Sequence, residues 1–370
     1  MSGRSRRAPG WRVAVAFGVA LGWAGAVAAA PARTPALAAP VGPACRAAAV
    51  AGAGREGVAG GIGRNGPALE RLRATMATGR FVAYQPTSLR VHDGRPTRAD
   101  AASIRADLRA LRPYFDGLVT YDVVHGAEQV PAIAAALGFR ALVLGLWDPF
   151  DDAQVEAALA AARAHPALVV GLSLGNETVY GKRRTFAQLA ARVAAIRRRA
   201  PGLALATSEP FHLLLEPAAT PLLAQLDLLL PNVHPVFEPW FRGAPDGNAA
   251  RFVVEVVEKL GARHCGPILV KETGVPTAPG SAGFSAARQS GFYAALQQQL
   301  PPSRQRAFAY FSAFDAAWRE HDWHPVPGAH PEEAHWGLFF EDRRPKPVVR
   351  ALSRLQHSAP GAASDPSGGG

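Results

Sequence analysis

Short apolar runs alternate along most of the chain with longer Ala-, Leu- and Arg-rich stretches of helical period. The apolar runs begin near Phe81, Gly117, Arg140, Leu168, Leu203, Leu226, Pro267 and Arg306, and their β-branched and apolar content predicts strands. The intervening patterns predict helices near 97–113, 126–138, 152–165, 184–199, 217–225, 247–263 and 285–300, with a last one near 345–357. Eight strand-helix units in succession predict an α/β fold of the closed kind, a (β/α)8 TIM barrel in a single domain. An open doubly wound sheet also alternates but rarely carries eight units.

The ends of the chain follow other patterns. Residues 1–30 begin with Arg4, Arg6 and Arg7 and continue into an uncharged run from Val13 to Ala30, which reads as a signal peptide or, uncleaved, an N-terminal membrane anchor. The expected location is therefore exported: periplasmic, cell-envelope or extracellular. Residues 31–66 are rich in Ala, Gly and Pro and read as a flexible linker. Gly61 to Gly66 fits GxGxxG, but neither a strand nor a βαβ unit accompanies it, so it counts as linker glycine. Pro67 to Thr78 predicts a short helix that leads into the barrel, which spans 67–357, and 358–370 reads as a disordered tail.

Composition narrows the functional classes. A hydrophobic share of 48% against 19% charged residues describes a globular core and excludes disorder. The net charge is +11, but Arg4, Arg6, Arg7 and Arg12 lie in the N-terminal segment and the densest remaining cluster, Arg197 to Arg199, ends a predicted helix. Without a basic stripe interleaved with aromatics, no nucleic-acid partner is expected. The two cysteines, Cys45 and Cys265, fit no metal or redox motif; an exported protein leaves pairing open to them, but the plainer expectation is two separate thiols.

In a barrel of this kind reacting groups sit where strands end. The fourth predicted strand runs into Gly175-Asn176-Glu177-Thr178 and the seventh into Lys271-Glu272-Thr273-Gly274, so both place a carboxylate on the same rim, across the mouth from each other. Two opposed carboxylates suit glycosidic cleavage: one protonates the leaving oxygen, the other attacks or stabilises the anomeric carbon. A separation of roughly 5–5.5 Å implies a covalent intermediate and retained configuration. Gly175 and Gly274 would permit sharp turns and close approach of substrate.

These residues also carry a resemblance. Asn176-Glu177 after the fourth strand, with a Glu after the seventh, resembles the clan A glycoside hydrolases, and Val270 to Thr277 resembles the Glu-Thr-Gly-Trp-Pro-Ser segment of glycoside hydrolase family 17, the β-1,3-glucanases and bacterial glucan transglycosylase-like proteins. Asn232 to Pro235, Ala309 to Asp315 and Trp336 to Leu338 are similar to that family in order and spacing, so the resemblance runs from about Phe81 to Leu352. It implies Glu177 as acid/base, Glu272 as nucleophile and Asn176 as a hydrogen-bond partner of the sugar 2-hydroxyl. It further implies that Tyr84 and Tyr121 stand near the nucleophile, where their hydroxyls would hold Glu272 ionised; the alternative is two rim tyrosines. The pattern departs from the family at Ser312 and Ala316, where relatives carry acids, and at Val275, where they carry tryptophan; Asp315 is retained.

Aromatic rings offer faces to sugars. Trp147 and Trp318 are the preferred binders among Trp147, Phe237, Trp240, Trp318, Trp323 and Trp336, and His234 would reach the site or serve the core. Glu209 is a third rim carboxylate, for a subsite or an ion pair. The histidines at 321, 324, 330 and 335 lack a recognised ligand spacing, so neither metal nor other cofactor is expected. The expected function is a retaining glycosidase hydrolysing β-glucan, with β-1,3 as the expected linkage and a β-glucan polysaccharide or oligosaccharide as partner. The rivals are a transglycosylase using the same carboxylates, a noncatalytic glycan-binding envelope protein, and a metal-dependent hydrolase.

Overall fold

A computed structural model describes residues 66–92, 94–321 and 328–353. The signal or anchor, nearly all of the linker and the tail lie outside those residues. Among the described residues no helix is long and apolar enough to cross a membrane.

Strands Phe81–Ala83, Gly117–Val119, Ala141–Leu146, Val169–Asn176 and Ala204–Ser208 pair in parallel in that order, and Phe81–Ala83 also pairs with Arg306–Tyr310, which pairs with Ile268–Val270. The sixth position differs from expectation. Leu226 opens no regular strand; instead residues 229–232 bridge both neighbours, through Leu229 to Ile268, Asn232 to Glu272 and Asn232 to Pro210. Pro231 has no N–H to give a ladder, yet its carbonyl accepts from Lys271 N at 3.0 Å and Asn232 N donates to Glu209 O at 3.0 Å. The sheet thereby closes into the (β/α)8 barrel.

Both faces of the strands are buried, and successive residues alternate between two cores. Val82, Leu118, Leu142, Leu172 and Ile268 point outward to the helices, whereas Phe81, Val119, Ala141, Val143, Ala204, Leu269 and Ala309 fill the barrel interior. Helix Pro67–Thr78 does more than lead in. Its Leu69, Leu72 and Met76, spaced on one helical face, pack into that interior layer. Arg71 donates to Pro166 O at 2.6 Å, just ahead of the fourth strand, so the helix stops the barrel at the strands' amino ends.

Most predicted helices form: Ala101–Leu111, Asp152–Ala164, Phe186–Arg199, Asp246–Gly261 and Ala286–Gln299. The expected 126–138 helix divides into a 3-10 turn, Ala127–Gln129, and Val130–Ala136. That at 217–225 divides into Pro217–Ala219 and Thr220–Leu223, because Pro217 and Pro221 lack N–H donors. The helix expected near 345–357 is one turn, Pro347–Arg350, and residues beyond 353 lie outside the description. Cys265, on the exposed turn before the seventh strand, is disulfide-bonded. This corrects the expectation of two separate thiols; Cys45, the other cysteine, lies outside the described residues. Sequence separation gives no sign of such a contact, because it is made in three dimensions.

Candidate active site

The fourth strand carries Asn176 to its last position, and Glu177 follows with a φ of +52°, in the left-handed region. Gly175 precedes it at φ +90°, where a Cβ would lie 2.3 Å from Thr178 Oγ1. The strained turn is fixed by Glu177 N donating to Ser208 O at 2.7 Å. The Glu177 carboxylate is fully buried, and its Oε1 accepts from Asn232 Nδ2 at 2.8 Å. Asn232 is itself oriented by Ser208, whose hydroxyl donates to Asn232 Oδ1 at 2.8 Å.

In the seventh strand Leu269 points inward and Val270 outward, so Lys271 faces the barrel interior. The chain then leaves the strand, and Glu272 turns in above it. Gly274 is required for a different reason from the expected approach of substrate: a Cβ there would meet Phe311 O at 2.2 Å. Glu272 is buried, with Oε2 3.4 Å from His234 Nε2 and Oε1 3.7 Å from Lys271 Nζ. With the carboxyl ionised, His234 Nε2 carries the donated hydrogen. Burial alone pushes Glu272 up, but the hydrogen bond from His234 and the Lys271 charge outweigh it and hold the carboxyl below the ordinary glutamate range. The Tyr121 hydroxyl lies beside Glu272 without a well-formed hydrogen bond, and burial together with the Glu272 charge raises its pKa well above the ordinary value.

Tyr84 corrects the other half of the tyrosine expectation. Its ring lines the cavity, but its hydroxyl turns outward and donates to Asp107 Oδ2 at 3.0 Å. Asp107 is held there by Thr87 and by Arg343 Nε at 2.7 Å, so Tyr84 ties the rim to helix Ala101–Leu111 and does not hold Glu272.

Asn176, Glu272, Tyr121, Trp147 and Arg319 line one cavity. Trp147 ends the third strand and is covered by Arg183, whose guanidinium lies 5.1 Å from the ring centre. Trp318 packs with Trp147 and Val91, half-buried at the edge of an adjoining cavity. His234 stands edge-on to Phe311 and Trp336, with centroids 5.5 and 5.2 Å away. Trp336 is therefore part of the wall behind Glu272 and His234, and Trp240 is exposed against Phe252. Trp323 lies outside the described residues.

Glu209 takes a structural part: its two oxygens accept from Val179 N at 2.9 Å and Tyr180 N at 3.1 Å, clamping the loop beyond Glu177. Burial pushes its carboxyl up to about 7. Asp315, the retained acid, is ion-paired with Lys346 at 2.7 Å, and Ser312 is buried, donating to Phe314 O at 2.9 Å. Of the segment from His321 to His324 only His321 is described, and among the described residues no group of three His, Cys, Asp or Glu side chains is placed to hold a metal.

Four site residues were not singled out from the sequence. Lys271 bridges the two turns, donating to Asn176 Oδ1 at 2.5 Å. Asn232 holds Glu177, and Arg183 donates to Asn176 O at 2.6 Å. Arg319 is buried against Phe311, 5.1 Å from its ring centre, and donates to Gln85 Oε1 at 3.0 Å. Only Lys271 had a legible signal: a lysine at an inward-facing place directly before a rim carboxylate.

Residues 82–337 match the family described as the BtgE/BtgC glycoside hydrolase domain. A glucan 1,3-beta-glucosidase of Arthroderma benhamiae is 24% identical over 266 residues, which is 67% of this chain and 84% of that protein. Among solved structures, an active-site mutant of the Rhizomucor miehei beta-1,3-glucanosyltransferase in complex with laminaritriose is similar, with a TM-score of 0.57 and 25% identity, covering 73% of this chain and 96% of that one. A Formosa endo-laminarinase shares the fold at a TM-score of 0.60 and 17% identity, over 74% of this chain and 88% of its own.

Proposed function

We propose that this chain, which belongs to the BtgE/BtgC glycoside hydrolase domain family, acts on β-1,3-linked glucan by double displacement, with Glu272 as nucleophile and Glu177 as acid/base. The chain is a glycosidase; its relatives include a glucan 1,3-beta-glucosidase and a beta-1,3-glucanosyltransferase. The observation that carries the finer reading is the pair of turns itself. Two buried carboxylates stand at the carboxyl ends of the fourth and seventh barrel positions, and Lys271, donating to Asn176 and ion-paired with Glu272, joins the turns that bear them.

Chemically, Glu272 begins ionised between Lys271 and His234 and attacks the anomeric carbon as the glycosidic bond breaks, while Glu177 gives its proton to the leaving oxygen. Glu177 then takes a proton from the incoming water or sugar hydroxyl, the ester to Glu272 breaks, and configuration is retained. The sequence resemblance to glycoside hydrolase family 17 agrees with the Rhizomucor miehei enzyme of that family, 25% identical over 72% of this chain.

The test is to incubate the full chain, and its Glu272→Ala variant, with laminarin oligosaccharides and to weigh the products. Shortened products made only by the unmutated chain establish hydrolysis, and lengthened ones establish transfer. No product from either removes the β-1,3-glucan reading and leaves another β-glucan as substrate or a noncatalytic binder, which binding assays on other β-glucans separate. Export, through residues 1–30 as a signal or an anchor, is supported by the disulfide at Cys265, a bond that persists in oxidising compartments. Recovery of the chain in the cytoplasmic fraction of its cell would remove that part.

A further inference from the structure

The two catalytic turns are joined by a charge-assisted hydrogen bond that the double-displacement chemistry does not itself require. Lys271 and Asn176 are 95 positions apart, and Lys271 Nζ donates to Asn176 Oδ1 at 2.5 Å. The lysine is 1% exposed, its Nζ lies 4.0 Å from the Tyr121 ring centre, and Glu272 Oε1 is 3.7 Å away. Four features, the strand direction, the aromatic ring, the carboxylate and the amide, thus fix the ammonium in one place.

An asparagine amide presents an acceptor at one end and a donor at the other, and a side chain alone does not decide which end faces a ligand. An ammonium has donors only. It therefore commits Oδ1 of Asn176 to itself and turns the NH2 to the remaining side, and Asn176 lines the cavity that also contains Glu272. A sugar at Glu272 would then meet a donor beside its anomeric carbon, and the hydroxyl there must accept.

Resting on the proposed function, we infer that Lys271 is a positioning residue which fixes the sense of the Asn176 amide and so makes the site selective for sugars carrying a 2-hydroxyl group. Removing the ammonium frees the amide to rotate, so the donor is no longer presented in a fixed way and the preference for the 2-hydroxyl declines. The same should follow from deprotonation. Burial lowers Lys271 to about 8, against the opposing charges of Glu272, Glu177 and Glu209 around it, with the neutral Tyr121 ring as its other neighbour. A neutral amine accepts as well as donates, so it no longer dictates the sense of the amide.

The measurement is the ratio of kcat/KM for an aryl β-glucoside to that for its 2-deoxy analogue, in the unmutated chain, Lys271→Met, Asn176→Ala and the double variant. The expected result is a ratio lowered about 10-fold in Lys271→Met and in Asn176→Ala, as for loss of one hydrogen bond, with no further fall in the double variant. In the unmutated chain the ratio should also fall as pH rises through about 8, a change absent from Lys271→Met. Lys271→Gln, which keeps the volume and can donate or accept, should lose the ratio in the same way and serves should Lys271→Met not fold. An unchanged ratio in both Lys271 variants, or falls that multiply in the double variant, overturns the inference. An unmutated chain that neither cleaves nor binds either glucoside, with calorimetry as the binding readout, instead removes the proposed function and this inference with it.

Discussion

The turns bearing Glu177 and Glu272 hold the same side chain at the same height of the barrel, yet they are built by opposite means. Glu177 sits on strained backbone, at φ +52°, and its carboxylate is bonded by the neutral amide of Asn232. Glu272 lies between a buried ammonium and an imidazole. The hydrogen bond from His234 and the Lys271 charge outweigh the burial of Glu272 and hold its carboxyl below the ordinary glutamate range. The two carboxylates therefore differ in the partners that their turns supply.

The largest effect should come from Glu272→Ala, which removes the carboxylate proposed to attack the anomeric carbon. Turnover of a glucan substrate should fall by roughly 10³-fold or more at unchanged melting temperature, as when other nucleophiles are removed. Near-normal turnover would mean that the comparison assigns the roles wrongly. Next, Glu177→Gln should slow glucans by roughly 10²- to 10⁴-fold but activated aryl glycosides far less, since good leaving groups need no proton. Equal losses on both would sink the acid role. Asn232→Ala, which strips Glu177 of its amide donor, should cost about 10-fold in kcat with little change in KM, the size of one hydrogen bond. A comparable loss from a distant rim substitution would show that Asn232 has no special part.

The smallest effect concerns stability. Glu333 is buried, receives Trp336 Nε1 at 3.2 Å on one oxygen, and is pushed by burial up to about 8, the Arg319 charge opposing. A carboxyl with a raised folded pKa contributes stability that is complete below its unfolded value near 4.5 and is lost as pH rises through the folded value. Melting temperature should therefore decline across that window. Glu333→Gln, which keeps an acceptor for Trp336 without the charge, should make the decline shallower, and an identical slope would argue against a buried charge as its cause.

Much of the barrel was legible because short apolar runs alternate with longer stretches of helical period. Which strand residues face the interior, such as Phe81, Val119 and Leu269, and which face the helices, such as Val82, Leu118 and Ile268, was not, because both faces are apolar. The exceptions have local causes: Pro231 turns the sixth strand into a set of single bridges, and Pro217 and Pro221 cut a helix into turns. The rim was less legible. Tyr84 and Tyr121 follow equivalent strands, and nothing in the sequence says that one hydroxyl goes to Asp107 and the other stands by Glu272.

The sequence by itself determined the barrel, the stopper helix Pro67–Thr78 as an element, and the rim positions of Glu177 and Glu272, because each depends on a repeat or a junction read within a few residues. The tertiary structure alone decided where that helix packs, that Cys265 is disulfide-bonded, and that Lys271 reaches Asn176 across 95 positions. Those contacts depend on closure of the sheet and on where each chain leaves its strand. Each joins residues far apart in the chain, and no pattern within a few residues encodes that.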